Sequence, residues 1–174
     1  MQMQRGVRLN SFSLAFFLRC CCSSAPPPLP LLLLPLSLLL LFPEWLEKGT
    51  VKKLVLVITG VDNEEVLERW VFDVSTDDKT ASGAPATSNK PEKEITKEIS
   101  AIIRQITSSV SFLPLLDQPC TFDLLIYTPQ DVATPAAWEE SDPKYIQNSQ
   151  EVKLRSFTTK IHKVETSVAY RADD

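Results

Sequence analysis

The sequence is short of the residues that most chemistry needs. Its 174 residues include one histidine, His162, and four glycines. A lone histidine cannot build the clustered ligand set of a zinc site. Asp77-Asp78 and Glu139-Glu140 are isolated pairs and read as solvated loop charges. Four scattered glycines exclude a phosphate-cradling loop and a dinucleotide fingerprint. No G-x-S-x-G elbow is present, so His162 has no nucleophile context with Cys120 or a serine. In TTKIHKV it reads as a polar strand residue. An excess of positive charge is also missing. Lys and Arg number 18 against 22 Asp and Glu, a net of −4, which argues against a nucleic-acid partner. No cofactor or metal is expected. The residues point away from an enzyme and toward a binding module.

The charge that is present is unevenly placed. Residues 1–43 carry only Arg5, Arg8 and Arg19, six of the 13 prolines and three of the four cysteines. Residues 44–174 carry 15 basic and 22 acidic residues, a net of −7. Ten of the thirteen residues from Leu29 to Leu41 are leucine. Three readings of this leader stay open. It is a signal sequence or membrane anchor opened by Arg5 and Arg8, it packs through a short Leu9–Cys22 helix, or it is low-complexity sequence outside the fold. The run from Leu29 to Phe42 is 14 residues, about 21 Å as a helix against a hydrocarbon core of about 30 Å, and Pro30 and Pro35 interrupt it. No N-x-S/T sequon occurs. The reading adopted places 1–43 outside the fold, with membrane or secretory targeting as the minority alternative. Cys20-Cys21-Cys22 lack metal-site spacing, and Cys120 alone in the body suggests a buried thiol in a reducing compartment.

The body has legible elements. Glu44 to Gly49 reads as a last helical turn closed by glycine. Val51–Thr59 is β-branched and nearly continuously apolar, as in a central strand. Val66–Val74 alternates and predicts a hairpin partner. Ser75–Lys90 has almost no apolar mass and reads as a loop. Next comes a helix with Ser88 or Asn89 as cap and Pro91 in its first turn. Its stripe is Ile95, Ile99, Ile102, Ile106 and Val110, at helical spacing, and Pro114 ends it. Pro119–Thr128 predicts a strong strand, Pro129–Asp142 an irregular path, and Glu151–His162 and Val164–Tyr170 further strands.

The blocks EWLEKG, VLERWVFD, IIRQITSSVSFLPLLDQPCTFDLLIYT, WEESDPKYIQNSQEVKLRSFTTKIHKV and SVAY stand in this order between about 44 and 172. They resemble the spindle-checkpoint branch of the HORMA-domain family. The resemblance implies an α+β fold: a mixed, mostly antiparallel sheet, helices on one face, and a mobile C-terminal safety belt over about 129–170. It implies open and closed conformers. In the closed one a partner's extended peptide adds to the sheet edge and the belt crosses over it. The receiving strand falls at Thr121–Thr128, with Leu124, Leu125, Ile126 and Tyr127 shaping the contact; plain core packing is an equal reading of Leu124 and Ile126. Trp138, Phe157, His162 and Tyr170 fall in the belt, Trp138 as its packing anchor. Arg104, Gln105 and Phe112 fall where the family dimerises. Ser141, Ser149 and Thr166 are candidate phosphorylation sites. The implied partners are a kinetochore receptor, the activator of the anaphase-promoting complex, other checkpoint proteins, and a remodelling AAA+ ATPase with its adaptor. Nucleus, kinetochore and cytoplasm are the implied locations. The family's N-terminal helix, a strand and most of a central helix are not recognisable before Trp45. The expectation is therefore a poorly covered sheet face and weakened switching.

Overall fold

The computed structural model describes residues 4–9, 44–76, 90–109, 111–132 and 138–171. The elements are β1 (Gln4–Leu9), β2 (Lys53–Gly60), β3 (Val66–Thr76), α1 (Glu92–Ser109), β4 (Cys120–Pro129), β5 (Trp138–Ser141), β6 (Ser149–Lys153), β7 (Phe157–Thr158) and β8 (His162–Arg171). Eight strands form one sheet in the order β5-β1-β4-β2-β3-β8-β6, and β7 pairs with β8. Every pairing among the described strands is antiparallel.

The centre of the sheet follows from composition. β2 and β4 are rich in Val, Ile and Leu and are paired on both sides, so each can bury both faces. Alternation then sorts the residues. Val55, Val57, Val71 and Leu125 cluster on one face. Val51, Val74 and Ile126 cluster on the other with Trp45 and Trp138. The predicted hairpin forms, with Leu54 opposite Phe72 and Leu56 opposite Trp70.

The turn at 44–47 is helical. Lys48 N–H donates to the Glu44 carbonyl, and Gly49, at φ 64°, ends the turn. A left-handed φ is nearly free for glycine and costly for other residues. Helix α1 begins after Pro91, whose carbonyl accepts the Glu94 and Ile95 N–H groups. The predicted caps Ser88 and Asn89 lie outside the described residues. α1 lies over the face carrying Leu54, Phe72, Val74 and Val164, and borders with them a partly open apolar cavity of about 440 Å³. Ile102 is buried there, but Ile103 is 58% exposed.

Two expectations are corrected. The leader is not wholly outside the fold, because residues 4–9 form β1 inside the sheet. A strand between two others is held by main-chain hydrogen bonds, so it needs no apolar alternation of its own. The rest of the leader, including Cys20-Cys21-Cys22 and the leucine tract, lies outside the described residues. No helix among the described residues is long and apolar enough to cross a membrane. Pro129–Asp142 is not irregular throughout, since it contains β5. Glu139 and Glu140 are accordingly strand residues rather than loop charges.

Candidate peptide-binding edge and strap

β4 is paired on both of its sides. One side is paired with β2 from Cys120 to Tyr127. The other meets β1 over Gln4↔Pro129 to Arg8↔Leu125. β5 then pairs with β1, from Gly6↔Ser141 to Leu9↔Trp138. An extended segment, β1, therefore lies between β4 and β5. Leu125, Ile126 and Tyr127 stand opposite it, and Leu124 lies one residue past the paired stretch. Leu125 and Ile126 are fully buried in the two core clusters. Their side chains hold β4 in place while their main chains face its neighbours.

Trp138 anchors the belt. Its ring meets Trp45 edge-on, with centroids 5.7 Å apart and planes at 61°. Edge-to-face aromatic pairs contribute roughly 0.5–1.5 kcal/mol beyond their burial. Beyond β5 the chain crosses the face opposite α1 to reach β6 at the far edge. Six strand spacings at about 4.8 Å make about 29 Å. The eight steps from Ser141 to Ser149 reach about 28 Å when extended. The crossing is thus a strap with little slack.

Two sheet residues, Arg69 and Asp123, fasten it. Arg69 Nε donates to the Pro143 carbonyl at 3.2 Å, and its guanidinium lies 4.9 Å from the centre of the Tyr145 ring. Lys144 pairs with the buried Asp123 carboxylate. Arg69 and Asp123 sit on β3 and β4, so the sheet itself grips the strap.

The C-terminal hairpin is fastened from the other face. His162, the first residue of β8, donates through Nε2 to the Leu46 carbonyl at 3.2 Å. Phe157 lines the apolar cavity below α1. Tyr170 donates its hydroxyl to Gln150 at 3.1 Å. Gln105 accepts the Arg155 N–H at 2.9 Å, and Glu98 accepts the Thr158 N–H at 3.2 Å. The Lys90 ammonium beside Glu98, followed by the Thr158 N–H, holds that carboxyl below its usual range. Arg104 and Phe112 are exposed, whereas Gln105 is already engaged with the hairpin.

The hydroxyl candidates separate. Ser149 is exposed and Ser141 is half-buried opposite Gly6. Thr166 is corrected: at 3% exposure, in a strand paired with both β3 and β6, its side chain is out of a kinase's reach in this conformation. Cys120 is buried, as expected of a structural thiol. Burial pushes its pKa up, and nearby Glu68 and Asp117 add to this.

Sequence reasoning missed Arg69, Asp123 and Lys144. Charged residues inside VLERWVFD and TFDLL break the apolar runs, and that was the available signal. It also missed six buried polar atoms without a hydrogen-bond partner among the described residues: Tyr127 Oη, Trp138 Nε1 and the Oγ1 atoms of Thr59, Thr76, Thr128 and Thr166. Each such atom costs roughly 1–3 kcal/mol. Tyr127, Thr128 and Trp138 belong to the strands that flank β1.

A sheet edge that receives an extended segment under a crossing strap defines a class of peptide-clamping domain. The HORMA domain model matches residues 42–162, and the chain belongs to the HORMA-domain family. It is 67% identical over 128 residues to the mitotic spindle assembly checkpoint protein MAD2A of Dictyostelium discoideum, covering 74% of this chain and 62% of that protein. Against the Homo sapiens protein of the same name the identity is 56%, with the same coverage. The fold matches a chain in the crystal structure of the mitotic checkpoint complex with a TM-score of 0.73 at 36% identity, covering 83% of this chain and 76% of that one. The chain thus spans about 62% of the length of these curated relatives.

Proposed function

We propose that this chain is a spindle-checkpoint adaptor that captures an extended peptide by strand addition to β4 and locks it under the strap, delaying anaphase. The observation that supports this best is the two-sided seat between β4 and β5, closed by residues that cross the sheet to its opposite edge. Strand addition draws affinity from main-chain hydrogen bonds and specificity from alternate side-chain pockets. The proposed ligands are peptide segments of a kinetochore receptor and of the anaphase-promoting complex activator. Other checkpoint proteins join the assembly, and a remodelling AAA+ ATPase with its adaptor reopens the strap. Arg104 and Phe112 serve a self-dimer, and Ser141 and Ser149 are modification sites that bias the belt. The role is binding rather than catalysis, exercised at kinetochores, in the nucleus and in the cytoplasm.

The test is complementation. Cells lacking their own checkpoint member and carrying the full chain are challenged with a spindle poison. Mitotic arrest, and recovery of the chain with receptor and activator, are expected; both are expected to fall with Trp138→Ala. A full chain that neither restores arrest nor associates with either partner overturns the reading.

A further inference from the structure

Residues 4–9 occupy the seat that the proposed function reserves for a partner's peptide. We propose that this segment is an internal ligand: the chain closes its belt around its own leader, and a partner peptide enters by displacing it. The inference rests on the peptide-capture reading of the β4 edge.

The pairing is two-sided and in one register. Five residues of β1 match β4 and four match β5. Gly6 sits opposite both Tyr127 and Ser141. A Cβ at that position would lie 3.1 Å from the Ser141 carbonyl oxygen and 3.5 Å from the Tyr127 ring. The close approach of three strands therefore favours glycine at this point of the segment. Arg8 takes the register position opposite Glu139 in the β1–β5 ladder. The leader carries only positive charge, and the body is net acidic.

The 34 residues from Asn10 to Pro43 are ample to join β1 to the turn at Glu44. A covalent link makes the competition intramolecular, with an effective concentration that is millimolar for short linkers and lower for longer ones. A free peptide must overcome that advantage. It has a means to do so. Tyr127 Oη, Thr128 Oγ1 and Trp138 Nε1, in the strands beside it, are buried without a hydrogen-bond partner, and a peptide that supplies one to any of them gains what the leader forgoes. The leader thus acts as a displaceable occupant.

Hydrogen exchange tests this in the full chain. The Tyr127 carbonyl accepts the Lys52 N–H at 3.0 Å and so faces β2. By alternation the Ile126 and Thr128 amides face β1, opposite Val7 and Arg5. The double substitution Arg5→Pro, Val7→Pro removes the N–H groups that β1 turns toward β4. Exchange at Ile126 and Thr128 is expected to quicken at least tenfold while Val55 and Val57 stay protected. Gly6→Val, which keeps every main-chain donor, is expected to act in the same direction by crowding. Unchanged exchange at Ile126 and Thr128 in both variants overturns the proposal. A fluorescent peptide with the sequence of residues 1–12 gives the second readout. The double-proline chain is expected to bind it and the wild-type chain to exclude it. Equal uptake by both overturns the internal ligand and leaves peptide capture standing. Faster exchange without peptide uptake by the variant upholds the internal strand and overturns peptide capture.

Discussion

At the scale of single residues, β4 uses its side chains for the core and its main chain for its neighbours. Leu125 is fully buried between Val55, Val57 and Val71. Leu125→Ala should lower stability by about 2–5 kcal/mol, the usual cost of such a cavity, read as a drop in the urea midpoint. Glu68 makes a different case. It is buried, accepts the Trp70 indole N–H at 2.9 Å, and has its pKa raised by desolvation against the smaller lowering effect of that bond. A carboxyl whose folded pKa lies above its unfolded value holds its proton more tightly when folded. Its stabilising contribution is complete below the ordinary value of 4.5 and is lost as pH rises through the raised one. Glu68→Gln keeps an acceptor for Trp70 and removes the buried charge. Its melting temperature should exceed that of the wild type at neutral pH, and the difference should shrink as pH falls toward 4.5. Little of this was legible beforehand. Leu125 reads as apolar in any strand, whereas the alternation of VLERWVFD does put Glu68 on the face of Val66, Trp70 and Phe72 and Asp73 on the other, without revealing the bond to Trp70.

At the scale of elements, the strap joins β5 to β6 across the sheet. Its grip from the sheet is concentrated in the Asp123–Lys144 pair and in Arg69 against Pro143 and Tyr145. Asp123 is the more buried partner. Removing its cation leaves a desolvated carboxylate, whereas removing the carboxylate leaves a lysine that can turn to solvent. Lys144→Ala should therefore destabilise more than Asp123→Asn, by about 1–3 kcal/mol at this partly exposed site. It should also speed amide exchange in β5 and β6 before that in β2 and β3. Equal effects of the two substitutions would show that the pair does not hold the strap. The elements that were legible, β2, β3, β4 and α1, each carry their own period. Val66–Val74 alternates, and Ile95, Ile99, Ile102 and Ile106 fall at helical spacing. β5 was not legible, because WEES offers one apolar residue, Trp138, and takes its order from β1. β1 was hidden for the same reason. QRGVRL has no pattern of its own, and its partners lie more than a hundred residues away.

At the scale of the whole molecule, the two faces of the sheet are unequally covered. The strap crosses one face and is held by charged and aromatic contacts. The other face carries α1, beneath which an apolar cavity of about 440 Å³ is lined by Leu54, Phe72, Val74 and the isoleucines of the helix. Among the described residues Ile99 and Ile103 remain substantially exposed along α1, and Phe112, Leu115 and Leu116 extend the exposed apolar surface just beyond it. Continuous apolar surface of this kind favours association. Helix α1 has its own ties to the hairpin, through Gln105 to Arg155 and Glu98 to Thr158, so it stays docked despite the thin packing beneath. The full chain should accordingly self-associate with rising concentration in sedimentation velocity. Ile103→Lys, at the most exposed isoleucine of the helix, should shift it toward the monomer without lowering its melting temperature by more than a degree or two, because little burial is lost. Ile102→Lys, one residue away but buried, should instead destabilise the domain strongly, since it places an ammonium in a mainly apolar cavity. If both substitutions left association unchanged in a folded chain, the exposed side of α1 would not be the surface that brings copies together.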